Sequence, residues 1–445
     1  MKKLFGTDGI RGRANTYPMT VDVAMNTGKA LARYVLDNGD RGLVIGRDTR
    51  LSGKMIESAL AAGAAAAGAR VWLAGVIPTP GVAFLSGMVS GAGAGVMISA
   101  SHNPYEDNGI KIFKKGGVKL GDDEEERLAA AIFKDENVSQ QAVGKISSIS
   151  DSCDRYAQFL TARFPYRKLD KKKKLVIDCA NGASAPCADK VFHKDLFDAV
   201  FIHNAPNGVN INDNCGSQHT GDLKAAVLAH KADAGLAFDG DADRLIAVDD
   251  AGNEITGDRI LAICASHMKT CGSLENNIVV STIMSNIGLA NALKSQGIDH
   301  NITDVGDRRV LEEMKQSGAV IGGEDSGHMI FLKDHTTGDG MLTALKLIEV
   351  MVASDKPLSE LAQIMTVYPQ VLMNVAVDAS RPDFTKVDSI ANAIKEMEGR
   401  LGREGRVLVR YSGTQPLLRV MVEGPTPDLT RNCCEKICAA IQQSL

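Results

Sequence analysis

LVIG at residues 43–46 is the first of three short apolar runs that decide the fold, and VWL at 71–73 and GVMI at 95–98 follow it. Two longer stretches with a helical period, over residues 52–68 and 81–88, separate these runs. Apolar runs that alternate with stretches of 3.6-residue period are typical of strands joined by helices. The sequence therefore predicts an α/β fold.

The same alternation recurs toward the C-terminus before the order of elements changes. A second series opens with LVI at 175–177, and a third begins near Asp258, with a strand predicted at 278–280. From about Tyr368 the order becomes strand, helix, two strands and helix, which indicates a smaller α+β domain. We predict three similar α/β domains with mixed sheets plus this C-terminal domain, around a central cleft. The predicted bounds are 1–152, 153–254, 255–368 and 369–445.

The composition predicts a globular chain with nearly balanced charge. Its 445 residues include 50 basic and 54 acidic side chains, for a formal net charge of −4, and 44% of the residues are hydrophobic. This balance gives no reason to expect nucleic acid or a membrane as a partner. The longest weakly polar stretch, residues 59–77, contains Arg70, and Asp8 and Arg11 interrupt any apolar core of a signal peptide. We therefore expect a cytoplasmic protein.

The cysteine pattern predicts thiols that take part in packing. There are nine cysteines, an odd number, none lies before Cys153, and no C-x-x-C pair occurs. Neither a disulfide framework nor a zinc ribbon is implied. Cys433, Cys434 and Cys438 share a predicted helix with no histidine nearby, so we expect them to pack in a core.

A serine loop follows the third apolar run directly. It reads ISASHNP at residues 98–104 and places the hydroxyl of Ser101 beside the imidazole of His102. Ser101 is therefore a candidate nucleophile. The G-x-S-x-G turn of α/β-hydrolases is absent, which argues against that class of enzyme.

An acidic loop, FDGDADR at residues 238–244, follows another predicted strand. Asp239, Asp241 and Asp243 stand at alternate positions, and three carboxylates so close together repel one another unless a cation neutralises them. Oxygen donors of this kind suit Mg²⁺ or Ca²⁺. The EF-hand pattern is excluded because Arg244 occupies the position that needs glycine for the turn. An aspartyl-phosphate enzyme that uses Asp239 is the alternative.

Two further polar loops complete the candidate site. GGEDSGH at 322–328 mixes acceptors, a hydroxyl and an imidazole between glycines, which suits sugar hydroxyls. RYSGTQP at 410–416, with Arg419 after it, offers a guanidinium, two hydroxyls and turn amides to a phosphate, and no Walker A motif is present. Ligands of open α/β sheets bind beyond the carboxyl ends of the strands, so we expect the loops of the three α/β domains to face one cleft.

Together these loops resemble those of the α-D-phosphohexomutases, the phosphoglucomutase and phosphomannomutase superfamily. The resemblance covers nearly the whole chain and adds FGTDGIRG at 5–12 and NGIKIF at 108–113. NCGS at 214–217 and TTGDG at 336–340 resemble the bacterial branch that acts on glucosamine phosphates. The implied reaction interconverts glucosamine 6-phosphate and glucosamine 1-phosphate and feeds UDP-N-acetylglucosamine and cell-wall synthesis.

The resemblance also implies roles for individual residues. Ser101 carries a phosphoryl group, a bisphosphorylated sugar serves as intermediate and activator, and Mg²⁺ is the cofactor. In chain order the four domains become a phosphoserine-loop, a metal-binding-loop, a sugar-binding-loop and a phosphate-binding domain. The implied catalytic residues are Ser101, His102, Lys111, His328, Arg244 and Arg11. The implied substrate-binding residues are Glu324, Ser326, Arg410, Ser412, Gly413, Thr414 and Arg419. The implied metal ligands are Ser101, Asp239, Asp241 and Asp243.

A mutase binds its substrate in two opposite orientations, and a phosphate clamp on a separate small domain fits that need. The expected partners are a small-molecule hexosamine phosphate, a second copy of the chain in a homodimer, and a kinase or a sugar bisphosphate that primes Ser101. Nucleic acid and membranes are not expected partners.

Four residues depart from the family pattern. Tyr411 and Gln415 replace a proline and a glutamate, Asp325 replaces a glutamine of the glucosamine branch, and Asp304 stands where a basic residue often precedes VGDR at 305–308. Two alternatives therefore stay open beside the glucosamine reaction. One is mutase activity on another hexose phosphate, and the other is a non-catalytic relative that binds sugar phosphates.

Overall fold

The computed structural model describes residues 4–6, 8–134, 142–378, 382–412 and 416–445. The chain forms two compact units. The first comprises Met1–Met284 and Asp299–Gln363, and the second comprises Ser285–Ile298 and Ile364–Leu445. The second unit therefore takes a short segment from the middle of the predicted third domain.

A six-stranded mixed sheet organises the N-terminal part of the first unit. Its strands are β1 (Ile10–Arg13), β2 (Gly42–Arg47), β3 (Arg70–Val76), β4 (Ala92–Ile98), β5 (Asp107–Lys114) and β6 (Ile146–Ser148). The helices are α1 (Val21–Asp37), α2 (Gly53–Ala66), α3 (Thr79–Met88), α4 (Asp122–Ile132) and α5 (Ser152–Thr161). The order is β1-β5-β4-β2-β3-β6. Neighbours among β4, β2, β3 and β6 pair in parallel, and β5 pairs antiparallel with both β1 and β4. The three apolar runs form β2, β3 and β4, as predicted, and most of their side chains are buried.

Two smaller mixed sheets complete the first unit. One has the order β11-β10-β9-β7-β8 and the other the order β13-β12-β14-β15. The strands are β7 (Lys173–Asp178), β8 (Phe197–Ile202), β9 (Ala234–Phe238), β10 (Leu245–Asp249), β11 (Glu254–Ile255), β12 (Ile278–Thr282), β13 (Asp299–Thr303), β14 (Ile321–Gly323) and β15 (Met329–Phe331). The helices over this span are α6 (Ala188–Val191), α7 (Gly221–His230), α8 (Gly257–Thr270), α9 (Ile287–Ser295), α10 (Asp307–Ser317), α11 (Gly340–Ser354) and α12 (Leu358–Leu361), of which α9 belongs to the second unit.

The second unit contains a three-stranded antiparallel sheet. Its strands are β16 (Gln370–Ala376), β17 (Arg406–Tyr411) and β18 (Leu417–Glu423), in the order β16-β18-β17. Two helices, α13 (Asp388–Leu401) and α14 (Pro427–Ser444), complete the predicted order of strand, helix, two strands and helix. Cys433, Cys434 and Cys438 are buried on α14, in the apolar core of this unit.

Glu423 joins α9 to this sheet. Its carboxylate is fully buried and accepts hydrogen bonds from the backbone N–H of Ile287 at 2.9 Å and from Nδ2 of Asn286 at 3.3 Å. Nε of Arg406 donates to the same carboxylate at 2.7 Å. A carboxylate at a helix N-terminus is favourable because it accepts from the unpaired first N–H groups. This contact explains why α9 belongs to the second unit.

The predicted fold class is confirmed, since three mixed α/β sheets precede a smaller α+β arrangement. One sheet corresponds to each of the four predicted domains, although β11 crosses the predicted bound after residue 254, and the exact bounds stay a prediction. Across the described ranges, every helix is too short or too polar to cross a membrane.

Candidate active site

An acidic triad lies in the loop between β9 and β10. Asp239, Asp241 and Asp243 are buried, and one carboxylate oxygen from each lies within 4.8 Å of the others. A Cβ on Gly240 would lie 2.6 Å from the carbonyl oxygen of Ser101, so glycine is needed for this close approach. The predicted triad is therefore present, and it meets the serine loop.

Ser101 follows β4 and points at the triad. Its hydroxyl donates a hydrogen bond to Oδ2 of Asp239 at 2.5 Å and lies 3.3 Å from Nδ1 of His102. Ser101 is buried, and its φ of 55° lies in the left-handed region that few non-glycine residues adopt. Strained backbone of this kind is common at functional sites. Two loops 138 residues apart in sequence thus meet in the structure.

Lys111 on β5 brings a cation into the triad. Its Nζ lies 2.8 Å from Oδ2 of Asp241, 3.2 Å from Oδ2 of Asp243 and 3.2 Å from Oδ2 of Asp8. Burial by itself disfavours the ammonium, but these three carboxylates raise the pKa of Lys111 well above its ordinary value. Lys111 is therefore protonated in this arrangement.

The contacts of Lys111 continue into a closed ring of alternating charge. Nζ of Lys119 lies 2.5 Å from both Oδ1 of Asp8 and Oδ2 of Asp307. His328 lies between acids, with Nε2 3.6 Å from Oδ2 of Asp307 and Nδ1 3.7 Å from Oδ2 of Asp243. The members of this charge ring, in order, are Lys111, Asp8, Lys119, Asp307, His328 and Asp243.

Three members of the charge ring are absent from the predicted site residues. Asp8 and Asp307 do lie in two of the family-like motifs, FGTDGIRG and VGDR, and this is the signal by which the sequence could have identified them as site residues. Lys119 follows a glycine turn after β5, and its surroundings in the sequence carry no chemical pattern. Its importance arises only from the partners that the fold brings to it.

The charge ring gives the carboxylates of the triad unequal surroundings. Burial, followed by the charges of Asp243 and Asp241, raises the pKa of Asp239 well above its ordinary value. Burial also acts to raise the pKa of Asp243, but Lys111 and His328 together hold it well below the ordinary value. The pKa of His328 is in turn raised, because Asp243 and Asp307 outweigh the effect of burial. Asp239, which accepts from Ser101, is thus less well neutralised than Asp243.

The donor set of the triad fits a hard divalent cation. Oδ1 of Asp241 and Oδ1 of Asp243 are buried and accept no hydrogen bond from the part of the chain that the structure describes. Buried carboxylate oxygens without donors are costly unless a cation binds them. Carboxylate oxygens in a group this tight are the ligands that Mg²⁺ and Ca²⁺ prefer. The residues therefore form a site that can hold a metal ion.

Three other predicted residues surround the triad. The backbone N–H of Arg244 donates to Oδ1 of Asp239 at 3.2 Å. Arg11 makes an ion pair with Asp8 of the charge ring. Burial, followed by the charges of Arg244 and Arg11, lowers the pKa of His102 to about 4. At neutral pH His102 is therefore a neutral imidazole beside the Ser101 hydroxyl.

The predicted sugar loop connects β14 to β15. Oε1 of Glu324 accepts a hydrogen bond from the N–H of Gly306 at 3.0 Å. Oγ of Ser326 is buried and lacks a hydrogen-bond partner among the described residues. One carboxylate oxygen of Asp325 accepts from the N–H of Asp258 at 3.2 Å, in the first turn of α8. The departure from the family pattern at Asp325 therefore serves, at least with this oxygen, to cap a helix.

The second unit contains the predicted phosphate loop. Arg410 on β17 lies directly opposite Arg419 on β18 in the antiparallel register. Oγ of Ser412 and Nε of Arg419 are buried and have no hydrogen-bond partner within residues 382–412 and 416–445 or the other described ranges. Gly413 and Thr414, which the resemblance adds to this site, lie outside the described residues, as does Gln415.

Tyr411, another departure from the family pattern, has a packing role in the second unit. Its ring lies edge-on to that of Phe384, with 5.7 Å between the ring centroids. Its hydroxyl donates to the carbonyl oxygen of Pro382. These contacts tie β17 to the turn before α13.

Four family models match the chain in consecutive segments. They are the phosphoglucomutase/phosphomannomutase α/β/α domain I at residues 2–139, domain II at 154–252, domain III at 256–368 and the C-terminal domain at 372–440. Together they account for most of the 445 residues.

Full-length relatives and solved structures show the same likeness. A phosphoglucosamine mutase of Desulforapulum autotrophicum is 58% identical, and one of Syntrophobacter fumaroxidans is 49% identical, each with 100% of both chains covered. A phosphoglucomutase/phosphomannomutase family protein of Burkholderia thailandensis has a TM-score of 0.81 at 24% identity, over 100% of this chain and 98% of that one. N-acetylphosphoglucosamine mutase of Aspergillus fumigatus, in complex with GlcNAc-6P and magnesium, has a TM-score of 0.70 at 17% identity, over 99% and 95%.

Proposed function

This chain belongs to the phosphoglucomutase/phosphomannomutase family, and from that premise we propose that it interconverts glucosamine 6-phosphate and glucosamine 1-phosphate. The relatives at 49–58% identity over the full chain, all phosphoglucosamine mutases, support this substrate. The observation that carries the chemistry is the hydrogen bond from the Ser101 hydroxyl to Asp239, inside the acidic triad.

Ser101 is the phosphoryl carrier. In the first half of the reaction the bond between Oγ of Ser101 and phosphorus breaks, and a bond from phosphorus to the free hydroxyl oxygen of the sugar forms. The hydroxyl proton passes to a base. The resulting bisphosphate turns over, and in the second half Ser101 takes the other phosphate while the sugar oxygen regains a proton. Phosphoryl transfer depends on positioning and charge neutralisation, and the buried triad beside Ser101 supplies both.

Mg²⁺ is the proposed cofactor, and Asp239, Asp241 and Asp243 would hold it together with the phosphate on Ser101. When bound, it neutralises charge on the phosphoryl group in transfer. The preference for Mg²⁺ over Ca²⁺ rests on the family and on the magnesium named in the Aspergillus fumigatus complex.

Lys111 and His328 are the groups that we assign to proton movement, at Nζ and at the imidazole nitrogens. Both contact Asp243, and the charge ring holds both next to the triad. The two halves of the reaction run in opposite directions through one site, so a group that gives up its proton in one half regains a proton in the other. Arg11, Arg244 and neutral His102 complete the surroundings of the phosphoryl group.

The remaining predicted residues bind the part of the substrate that does not react. Glu324 and Ser326 contact the sugar hydroxyls. Arg410, Ser412 and Arg419, with Gly413 and Thr414, hold the second phosphate. Two guanidinium groups opposite each other on one sheet repel, and a dianion between them relieves that repulsion. The homodimer, the priming of Ser101 and the cytoplasmic location stay predictions.

The test is an assay of the purified chain with Mg²⁺, a trace of sugar bisphosphate and the 6-phosphates of glucosamine, N-acetylglucosamine, glucose and mannose. We expect the highest kcat/KM with glucosamine 6-phosphate. Faster turnover of glucose or mannose phosphate would make the chain a mutase for another hexose. Intact mass gives an independent measurement, since a mutase carries a fraction of chain heavier by one phosphate that is lost in Ser101→Ala.

Two other outcomes identify the remaining alternatives. A chain that binds the sugar phosphates but neither turns them over nor carries phosphate is a non-catalytic relative. An acyl phosphate on Asp239 is removed by hydroxylamine, whereas phosphoserine survives that treatment.

A further inference from the structure

Two side chains with no role so far hold the loop of Ser101 from behind. Nδ2 of Asn212 donates to the carbonyl oxygens of Ser101 and Asn103, at 2.9 Å each. Arg50 donates through one guanidinium nitrogen to the same two oxygens, at 2.8 Å each, and through another to the carbonyl oxygen of Pro104. We propose that Asn212 and Arg50 are positioning residues that keep the Ser101 hydroxyl aimed at the acidic triad. This inference rests on the proposed function.

Asn212 and Arg50 together form what we call the carbonyl clamp, and Arg50 is the half that is held rigidly. Its side chain is fully buried, as is that of Asp48, whose Oδ2 accepts from Nε of Arg50 at 2.8 Å. The other oxygen of Asp48 accepts from the backbone N–H of Arg50 at 2.9 Å. A buried guanidinium is costly unless its donors are satisfied, and here one carboxylate and three peptide carbonyls satisfy them. Removal of Arg50 leaves Asp48 as an unpaired buried charge, so Arg50 also contributes to stability.

Asn212 forms the half of the carbonyl clamp that also lies against the acidic loop, residues 238–244. It lies between β8 and α7, and its backbone N–H donates to the carbonyl oxygen of Ala180 at 2.9 Å. A Cβ on Gly240, between two triad aspartates, would lie 2.8 Å from Nδ2 of Asn212 and 2.6 Å from the carbonyl oxygen of Ser101. The side-chain amide of Asn212 therefore lies against both the serine loop and the acidic loop.

The clamp opposes the strain at Ser101. A φ of 55° is sparsely populated for serine, so the loop needs outside contacts to stay in that conformation. The backbone N–H of Ser101 donates to Oγ of Ser99 at 2.9 Å, so fixing the Ser101 carbonyl as well holds φ in place. Relaxation of φ out of the left-handed region would swing Cβ, and with it the hydroxyl, away from Asp239. A misplacement of about 1 Å can slow an enzymatic step by about 10²-fold. We therefore expect loss of the clamp to slow phosphoryl transfer, with little effect on substrate affinity.

Asn212→Gly tests this inference, with Asn214→Gly as the matched control. Both asparagines lie in one loop with left-handed backbone, at φ 58° and 51°, so glycine relieves strain in both. The amide of exposed Asn214 donates to Asp213, at 3.0 Å, and not to the serine loop. The measurements are steady-state kcat and KM, the thermal midpoint Tm, and the single-turnover rate at which isotopically labelled phospho-Ser101 gives its phosphate to glucosamine 6-phosphate.

We expect Asn212→Gly to transfer phosphate at least about tenfold more slowly than Asn214→Gly, with KM and Tm like those of the control. Asn212→Asp places a carboxylate against the two carbonyl oxygens and should be slower still. Equal transfer rates in the two glycine variants would overturn the inference. A slower rate accompanied by a Tm below that of the control would overturn it too, because the role would then be structural. Failure of the proposed function looks different, since the unaltered chain would then transfer no phosphate, and the inference would fall with it.

Discussion

The acidic triad of the first unit and the arginine pair of the second are opposite in charge and in construction. The triad places three buried carboxylates within 4.8 Å, and Lys111 and His328 lie against them. The pair places Arg410 directly opposite Arg419 on neighbouring strands. Each region concentrates like charge. In the proposed function the triad acts on the phosphate that reacts, and the arginine pair holds the one that does not.

The two regions also differ in how the chain builds them. Residues from three different sheets supply the triad and its charge ring, and contacts such as Ser101–Asp239, Lys111–Asp241 and Lys119–Asp307 join residues more than 100 positions apart. The arginine pair needs only the register of one antiparallel ladder, with a few residues between its strands. Buried charges with many fixed partners suit chemistry that tolerates little displacement. A pair on one sheet suits a binding task that must accept two substrate orientations.

Loss of the Ser101 hydroxyl should lower turnover more than any other change considered. It leaves both charged regions intact but removes the proposed phosphoryl carrier. Ser101→Gly should lower kcat at least about 10³-fold. Glycine also relieves the left-handed backbone, so we expect its Tm to be at least that of Ser101→Ala. Turnover within a few-fold of the unaltered chain would remove Ser101 from the mechanism.

Asp241→Asn weakens the triad itself. Neutralising one of three carboxylates should reduce Mg²⁺ affinity and kcat together, each by about 10- to 100-fold, and leave KM for the sugar less affected. Activity measured against Mg²⁺ concentration checks this. Asp250→Asn, at an exposed carboxylate that contacts Ser359, is the control and should behave like the unaltered chain. Full activity of the unaltered chain in EDTA would contradict the metal site.

Arg410→Ala tests the other side of the comparison. The variant loses charge-assisted hydrogen bonds of about 1.5–3 kcal/mol, so KM should rise about 10- to 100-fold. The rise should appear for both isomers, because each presents its non-reacting phosphate to the same arginine pair. Phosphate on Ser101 should persist, as seen by intact mass. Arg403→Ala removes an exposed arginine of the same unit and serves as the control. Unchanged KM for both isomers would mean that the second phosphate is held elsewhere, with Arg11 and Arg308 as the next candidates.

Arg308 is already engaged by acids of the first unit. Its guanidinium makes ion pairs with Asp122 and with Glu125 of α4, the latter at 2.6 Å. Arg11 is similarly paired with Asp8. Either arginine would have to give up a carboxylate partner to bind a phosphate.

Asp339 should give the smallest effect, on the pH dependence of stability. It is a reference for the triad because its carboxylate is buried but is held by neutral donors. The hydroxyl of Tyr156 donates to it at 2.8 Å and the N–H of Leu342 at 2.9 Å, and burial raises the pKa of Asp339 to about 7. The folded state therefore keeps a proton that the unfolded chain, with an ordinary pKa of about 3.9, releases. Stability from this group is fully present below about pH 4 and is lost as pH rises to about 7.

Asp339→Asn keeps a side chain that can cap α11 and abolishes this titration. Urea unfolding between pH 5 and 8 should show a shallower fall in the free energy of unfolding for the variant, by at most about 1.4 kcal/mol per pH unit. Parallel pH profiles for the two chains would show that Asp339 is ionised throughout that range.

The loops of the site are predictable from sequence because each follows a strand and shows its chemistry locally. Ser101 and the three aspartates stand in such patterns, whereas only the resemblance implies Lys111, and the structure places these side chains together. Lys119, Arg50 and Asn212 show no local signal, since their roles come from partners far away in the chain. A departure such as Asp325 is also ambiguous in sequence, because capping a helix and facing a substrate require the same carboxylate.

The fold follows the same division. Periodicity is enough to predict four successive groups of strands and helices, since it depends on which side of each element is buried. It does not reveal that α9 belongs with the last group, because that depends on Glu423, more than 120 residues away.

This placement of α9 limits how the chain can be divided or recombined. The family models change from domain III to the C-terminal domain near residue 370, after α9, yet the carboxylate that caps α9 comes from β18. A fragment cut at that point would keep the helix and its N-cap residue Asn286 but lose the carboxylate of Glu423. A chimera that takes its C-terminal domain from a relative would inherit a foreign partner for Asn286 and Ile287. The second unit is therefore discontinuous in sequence, since it consists of residues 285–298 together with 364–445. A recombination that keeps it intact must transfer both segments, and we expect the two segments to evolve together.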